Sequence, residues 1–428
     1  MNTYRVLRKT NAYTLFKIIL CASFALVLIM TGRDAGAEDP VLKALIDEAI
    51  ANNPEIASLR RMVKAEQAMA GTEGYLDDPY FRIELMDIPK DNPLDLTPGN
   101  AMLTRYTIGQ MFPFPGKLPL KKEAAAKQAQ MAGAELAFKT LEVQGMVKET
   151  YLEYAFNRES RRITDEIRET NSYMARIAEV RYASGIATQQ DLIKAQLESA
   201  MLSNEAIELD AEKEALAARL KTLLNRTHDS ALPEPAGLPR QRVSFDLSGI
   251  IPEATENNPL VKKTMLAVES GDLNQRLAEK NYYPDFMLSA SPVQRDGGFE
   301  TFDVMFQINI PIWQGKLQGI SDGAYEARLA AEAELANQKN LISLEAVLSA
   351  INAQKADRMR ILFETSLVPQ SEMGLESALK SYQSGKIDFL TLLDAQRQVK
   401  RTKIEHLRTI LEYGKAIASI EKILGRDL

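Results

Sequence analysis

Tyr182-Ala183-Ser184-Gly185 and Tyr382-Gln383-Ser384-Gly385 stand 200 residues apart and decide how this chain folds. Each interrupts a stretch rich in Ala, Leu, Glu, Lys, Gln and Arg, all strong helix formers. Prolines are absent from Leu120 to Leu232, from Ile312 to Val368, and from Gln370 onward. Gly185 and Gly385 supply the positive φ of a helix C-terminal cap, and Thr188 and Asp388 suit the start of the next helix. Each element therefore predicts the tip of a helical hairpin. The helices entering the tips span about Lys117–Tyr182 and Lys316–Tyr382, and at 1.5 Å per residue each is a rod of roughly 100 Å. Ile410, Ile417 and Leu424 recur at heptad spacing, with Ile420 and Ile423 broadening the stripe, which predicts coiled-coil-like packing. Pro369 falls inside the second rod and should kink it.

Other landmarks are doubled in the same order. Asn52-Asn53-Pro54 returns as Asn257-Asn258-Pro259, 205 residues on, and Leu223-Leu224-Asn225-Arg226 returns as Ile423-Leu424-Gly425-Arg426, 200 on. Phe112-Pro113-Phe114-Pro115-Gly116-Lys117 is echoed by Ile310-Pro311-Ile312-Trp313-Gln314-Gly315-Lys316. A period this long is not a solenoid repeat but one structural unit duplicated. The organisation is a signal segment 1–37, a first repeat 38–232, a Pro-rich linker 233–252 and a second repeat 253–428.

Ahead of each rod the texture changes to period-two alternation. Tyr80 to Leu85 and Thr104 to Met111 form one pair of strands, Phe286 to Ser291 and Phe302 to Ile310 the other, each with one wet face. Gly297-Gly298 marks the turn of the second pair; the loop 87–102 joins the first. Each repeat reads as helix, two strands, long helix, tip, long helix.

The N-terminal segment is excluded from the fold. Arg5, Arg8, Lys9 and Lys17 precede an apolar run from Ile18 to Met30, and Ala35-Gly36-Ala37 fits a small-residue cleavage site, so a secretory signal peptide is expected. The run is too short for a retained anchor. The single cysteine, Cys21, lies in this segment, and Leu20 is a poor residue ahead of a lipidated cysteine. The mature chain is thus expected to be unlipidated and free of disulfide chemistry. Its removal, with five basic residues and one acid, takes the net charge from −6 to −10, which does not suit a nucleic-acid binder. No later apolar run suggests a transmembrane helix, although barrel strands give a weaker signal.

Four strands of about eight to ten residues match the length of tilted bilayer-spanning strands. Four cannot close a membrane barrel, and an open edge in lipid leaves backbone groups unpaired. A membrane reading therefore requires several chains: two would give eight strands with a filled interior, three would give twelve with room for a channel. Three chains would also place twelve long helices in a tube below the barrel. The other reading is a soluble four-stranded sheet on a helical bundle.

The duplicated plan, the Asn-Asn-Pro openings and the Tyr-x-Ser-Gly tips resemble the TolC-type outer-membrane efflux proteins of Gram-negative bacteria. So do the segments Asp191-Leu192-Ile193-Lys194-Ala195-Gln196 and Leu392-Leu393-Asp394-Ala395-Gln396. The Phe-Pro-Phe-Pro-Gly-Lys-Leu element at 112–118 looks most like the heavy-metal branch, the CzcC- and CusC-like proteins. The resemblance implies a mainly α protein with membrane β: a homotrimer with a twelve-stranded β-barrel continued by a twelve-helix periplasmic α-barrel. It implies an exit duct of a tripartite efflux system, passively exporting small substrates such as metal cations. The implied partners are a periplasmic adaptor (membrane fusion) protein, an inner-membrane pump of the RND type and outer-membrane lipid. By the same resemblance Asp394 matches an acidic pore ring, with Thr391 where a companion acid is usual. Asp191 and Tyr382 match a pair linking tip helices in the closed state, and Ile387 replaces the basic residue that completes that lock, with Lys386 adjacent. Gly185, Gly385, Ser184 and Ser384 match exposed tips that meet the adaptor.

From the residues alone, Asp191 and Asp394 near helix starts would form carboxylate rings in a threefold assembly, and such rings favour cations. A solvated acid favoured by the helix dipole is the plainer account. Trp313, just past a strand, suits an interfacial aromatic belt. Lys117, Lys121 and Lys122 read as a solvated helix start. No catalytic constellation emerges. Neither His228 nor His406 has a second His or Cys at ligand spacing, so no zinc or copper site and no cofactor is expected. The sixteen methionines are scattered and read as core filler. Two other readings stay open: the outlet of a type I protein secretion system, and a soluble periplasmic coiled-coil adaptor or structural protein.

Overall fold

A computed structural model of the chain describes residues 39–428 apart from 236, 239–246 and 296. The expected signal segment and Cys21 lie outside the described residues. The first repeat runs α1 (Pro40–Asn52), α2 (Pro54–Thr72), β1 (Tyr80–Met86), β2 (Leu103–Phe112), α3 (Lys117–Ala183) and α4 (Gln189–Leu223). The second runs α5 (Leu247–Asn257), α6 (Pro259–Lys280), β3 (Phe286–Arg295), β4 (Gly298–Ile308), α7 (Gln314–Leu362), α8 (Val368–Gln383) and α9 (Phe389–Leu424). Helix α5 begins inside the stretch read as linker, because Pro252 sits within this helix and does not end it.

The doubled motifs are structural joints. Asn53 ends α1 and caps α2: its Oδ1 accepts from the amides of Glu55 (2.9 Å) and Ile56 (3.3 Å), and its Nδ2 donates to the Leu223 carbonyl (3.4 Å). Asn258 repeats this, accepting from the Leu260 amide (2.9 Å) and donating to the Ile423 carbonyl (3.0 Å). Pro54 and Pro259 occupy the first helical turn, where a missing N–H costs nothing. Asn225 and Gly425 adopt left-handed φ of 55° and 73° as α4 and α9 end. The next residue then turns back: Arg226 pairs with Glu48 (2.6 Å) and Arg426 with Glu253 (2.5 Å). The end of α4 is thereby held at the joint between α1 and α2, and the end of α9 at the joint between α5 and α6.

The returning limbs α4 and α9 have 35 and 36 residues against 67 in α3. Near the tips the helices pack in the row α4–α3–α9–α8 and nearer the strands in the row α2–α3–α6–α7. Two cores hold the joints, and they are copies: Leu45, Ala49, Ile56, Leu220 and Leu224 in one correspond to Ile250, Ala254, Val261, Ile420 and Leu424 in the other. A buried lysine fastens the copies together, Lys148 of α3 reaching Glu421 (2.8 Å) and Asp427 (2.6 Å).

Helix α3 is unbroken. The second rod is interrupted by a π-helical turn, Phe363–Leu367, immediately before Pro369. The wider turn relieves the clash and the missing donor that proline brings to an α-helix, so the expected disruption takes this form.

The strands form one antiparallel meander, β1-β2-β3-β4. Its register puts Phe81, Ile83, Ile108, Leu288, Phe302 and Phe306 on one face and Arg82, Glu84, Arg105, Thr107, Ser291 and Asp303 on the other. On the polar face Arg105 pairs with Glu84 (3.5 Å) and Asp303 (3.2 Å), and Thr107 shares a hydrogen bond with Ser291 (2.9 Å). The apolar face is bare: Phe302 and Phe306 are 65% and 66% exposed. Lys117, expected to be solvated, is instead buried at the strand–helix junction, donating to Asp285 (2.8 Å), which also accepts from the Phe114 amide (2.7 Å). Phe114 stacks on Tyr283 beside it, with centroids 4.5 Å apart. Among the described residues no helix is long and apolar enough to cross a membrane.

Candidate functional site

Both hairpin tips close with the same backbone device. Gly185 and Gly385 sit at φ 74° and 76°. The Gly185 amide donates to the Tyr182 carbonyl (2.9 Å) and the Ile186 amide to the Arg181 carbonyl (2.9 Å). In the second copy the Gly385 amide donates to Tyr382 (3.0 Å) and the Lys386 amide to Ser381 (2.9 Å). This paired bonding is the Schellman cap, which needs a residue that tolerates positive φ. Ser184 and Ser384 are exposed at both turns.

The helices that leave the tips start differently. Asp388 caps α9: its Oδ1 accepts from the Thr391 amide (2.9 Å) and the Thr391 hydroxyl (2.6 Å). Those two bonds hold the Asp388 carboxyl below the usual range. Thr391 is thus engaged in the cap. Thr188 stands at the same place before α4 but makes no side-chain capping bond.

The two tips share a core. Met174 and Ala178 of α3, Ala195 of α4, Tyr382 of α8 and Phe389, Leu392 and Leu393 of α9 are buried together, with Ile387 packed against them. Tyr382 meets Phe389 edge-on at 5.6 Å. Among the described residues the buried Tyr382 hydroxyl has no hydrogen bond of good geometry, although Arg181 is near enough to act on it. Burial pushes its pKa up, and the nearby Asp191 charge adds to the rise. Asp191 and Tyr382 therefore lie within electrostatic reach of each other, without a hydrogen bond between them.

Arg181 makes the tie between the hairpins. Its Nη1 donates to the Tyr382 carbonyl and to the Gln383 carbonyl (3.0 Å), and its guanidinium lies over the Tyr382 ring at 4.8 Å. It also covers Gly385, where an added Cβ would meet Nη2 at 3.4 Å, whereas nothing lies within 4 Å of the same point at Gly185. Sequence reasoning missed Arg181; the one signal was that its repeat counterpart is Ser381. One turn into α9, Asp394 is exposed. Arg397, a turn further, pairs with the buried Glu198 of α4 (2.5 Å), which raises the Arg397 pKa, with Asp394 contributing. Trp313, at the other end of the rods, precedes α7 and is 73% exposed. No cluster of three or more His, Cys, Asp or Glu able to hold a metal occurs among the described residues.

Comparison with known proteins accounts for this plan. The cobalt-zinc-cadmium resistance protein CzcC of Cupriavidus metallidurans is 22% identical over 344 residues, covering 79% of this chain and 82% of CzcC. The pyoverdine export outer membrane protein OpmQ of Pseudomonas putida is 22% identical, covering 90% of this chain and 86% of OpmQ. The fold matches solved CusC at a TM-score of 0.80 with 16% identity, over 92% of this chain and 96% of that one. It matches the outer-membrane channel OprN at 0.80 with 18% identity, over 90% of each. Residues 45–226 and 250–426 match the family described as outer membrane efflux protein. The two matched segments contain both spliced hairpins, and the chain belongs to the outer membrane efflux protein family.

Proposed function

We propose that the chain is one third of a homotrimeric exit duct in the outer membrane of a Gram-negative bacterium, extending far into the periplasm. The observation that carries this reading is the pair of unfinished edges. Among the described residues the sheet ends at β1 and β4, neither of which pairs further, and the helical row near the tips ends at α4 and α8. The bare apolar face suits lipid, but an open sheet edge there leaves backbone groups unpaired unless the sheet closes. Three copies supply twelve strands, enough to close around a channel, and the same threefold axis closes the helices into a tube. Trp313 then lies at the membrane interface as an aromatic anchor, and residues 38–232 and 253–428 act as the two repeats around the linker.

In that assembly Asp394 and Asp191 form rings near the tip. Carboxylate rings favour cations, in keeping with export of small substrates that include metal cations. Gly185, Gly385, Ser184 and Ser384 face an adaptor, which joins the duct to an inner-membrane pump of the RND type. The duct itself is passive and performs no catalysis. Planar-bilayer recording of the purified protein tests the reading. Cation-selective channels are expected, with selectivity reduced in Asp394→Ala; a soluble monomer without channel activity would overturn the duct, and unchanged selectivity would remove Asp394 from the constriction.

A further inference from the structure

The two repeats match residue by residue, but not at one constant spacing. Ala132-Gly133-Ala134-Glu135-Leu136-Ala137 of α3 recurs as Ala331-Glu332-Ala333-Glu334-Leu335-Ala336 of α7, 199 residues on. The buried Val143, Val147 and Tyr151 match Ile342, Ala346 and Ala350 at the same spacing. At the tips the spacing is 200, as in Tyr182 and Tyr382. The second rod therefore holds one extra residue, and the π-helical turn Phe363–Leu367 lies where the spacing changes. A turn closed by i→i+5 bonds holds one residue more than an α turn, so the register survives on both sides of it.

Within the chain the first rod meets the second repeat in two places. Near the strands, Lys127 of α3 pairs with Glu269 of α6 (2.5 Å). Nearer the tips, Gly145 and Leu152 of α3 lie against Lys422 and Gly414 of α9. The spacing is 199 in this part of the rods, 205 between α2 and α6, and 200 between α4 and α9. The counterparts of Lys127 and Glu269 are then Glu326 and Lys64, the same pair with its charges reversed. Both are exposed, and neither is ion-paired among the described residues. They stand on α7 and α2, the two ends of the row near the strands, so they do not meet within one chain. The counterparts of Gly145 and Leu152 are Leu344 and Ile351, 54% and 51% exposed. Those of Lys422 and Gly414 are Thr222 and Glu214, which are exposed toward the end of α4.

We propose that a second copy of this chain completes both contacts: its Lys64 pairs with Glu326, and the end of its α4, at Glu214 and Thr222, covers Leu344 and Ile351. Both contacts call on the same neighbour, since α2 and α4 belong to one repeat. Charge selects the mode of contact. Arg61 stands with Lys64 on α2, and Asp322 and Glu334 stand with Glu326 on α7, so α7 attracts α2 and repels another α7. The copies thus join head to tail. The match is imperfect in one respect. Lys148 and Glu421, the buried ion pair between the repeats, correspond to Val347 and Lys221, so that fastening has no equivalent between copies. The number of copies rests on the duct reading; the contact itself needs only two.

Cross-linking of the detergent-solubilised full chain tests the contact, in a Cys21→Ser background that removes the one cysteine of the sequence. Lys64→Cys/Glu326→Cys and Thr222→Cys/Leu344→Cys, all at exposed positions, are treated with a short bis-maleimide. Each pair should yield covalent dimers and trimers under denaturing conditions. Lys64→Cys/Glu334→Cys, which moves one partner about 12 Å along α7, should yield none, and neither should any single-cysteine variant. The mass of the untreated particle is read in parallel. Trimers in which neither pair cross-links would overturn the contact and leave the duct standing. Equal cross-linking of the displaced pair would refute the register, and covalent dimers from a single-cysteine variant would show that like edges meet. A monomeric particle would sink the duct and the contact together.

Discussion

Tyr182 and Tyr382 are the same residue of the repeat in two environments: the first is 45% exposed and the second 2%. Arg181 accounts for the difference, because it binds the carbonyls of the second tip and lies over the Tyr382 ring. A fork that spans two carbonyls while stacking on a ring is specific to guanidinium. Arg181→Ala should therefore free the second tip, and Arg181→Lys should not restore it. Hydrogen exchange of amides 382–387 checks this, with about a tenfold faster rate corresponding to about 1.4 kcal/mol of lost local stability. Unaltered exchange would mean that the tip core alone holds Tyr382. Among the described residues the buried hydroxyl of Tyr382 makes no hydrogen bond of good geometry, and leaving such a group unsatisfied costs about 1 kcal/mol or more. Tyr382→Phe should raise the thermal midpoint; a fall would show that the hydroxyl has a partner in the assembled protein.

At the scale of the elements, the joints matter most. Asn53 and Asn258 each cap one helix and hold the end of another. Asn258→Ala should cost about 1 to 2 kcal/mol, the usual worth of a helix cap, and Asn53→Ala somewhat less, because its cross-helix bond is 3.4 Å against 3.0 Å. Denaturant unfolding would measure both, and equal stability to the parent would remove the joint's role. The sequence carried the tips, the strands, the unbroken first rod and the duplication, since glycine, proline and periodicity act locally. It did not carry the splices: that Leu223 meets Asn53 depends on tertiary packing across 170 residues. Nor did it carry the burial of Lys117, whose partner Asp285 lies in the other repeat. At the tip, Gly185, Gly385 and Asp388 were legible as caps, whereas Arg181 was hidden because its work is done by contacts 201 and 202 residues away.

For the whole molecule, the question is what holds two repeats, and then several chains, in one body. Within the chain Lys148 links the copies. Burial alone lowers a lysine pKa, but its bonds to Asp427 and Glu421 outweigh that and raise it above 10.5. The contribution of the ion pair to stability is therefore complete below 10.5 and is lost as pH rises through the elevated folded value. Thermal unfolding across this alkaline range should show that loss in the parent and not in Lys148→Met. Lys148→Ala should cost about 1–2 kcal/mol at neutral pH, because it removes a buried side chain and leaves the partly buried Glu421 without its lysine partner, whereas Asp427 is exposed to water. Between chains the edges decide. Ile193, Leu197, Met201 and Ile207 lie exposed along α4, and Leu362, Leu367 and Met373 lie exposed at matching distances from the tip along the second rod. These stripes lie on helices at opposite ends of the row near the tips, so in the proposed ring of copies each would face the other across the contact between neighbours. A head-to-tail contact of this kind generates a closed ring if the rotation between copies is right. Leu197→Glu and Leu362→Glu, on different edges, should each break the assembly, since either charge would be buried in the same contact. Ile186→Glu, equally apolar and 66% exposed but at a tip turn, should leave it intact. The mass of the detergent-solubilised particle distinguishes these outcomes: a trimer that survives both edge substitutions would mean that the stripes face something other than a second copy.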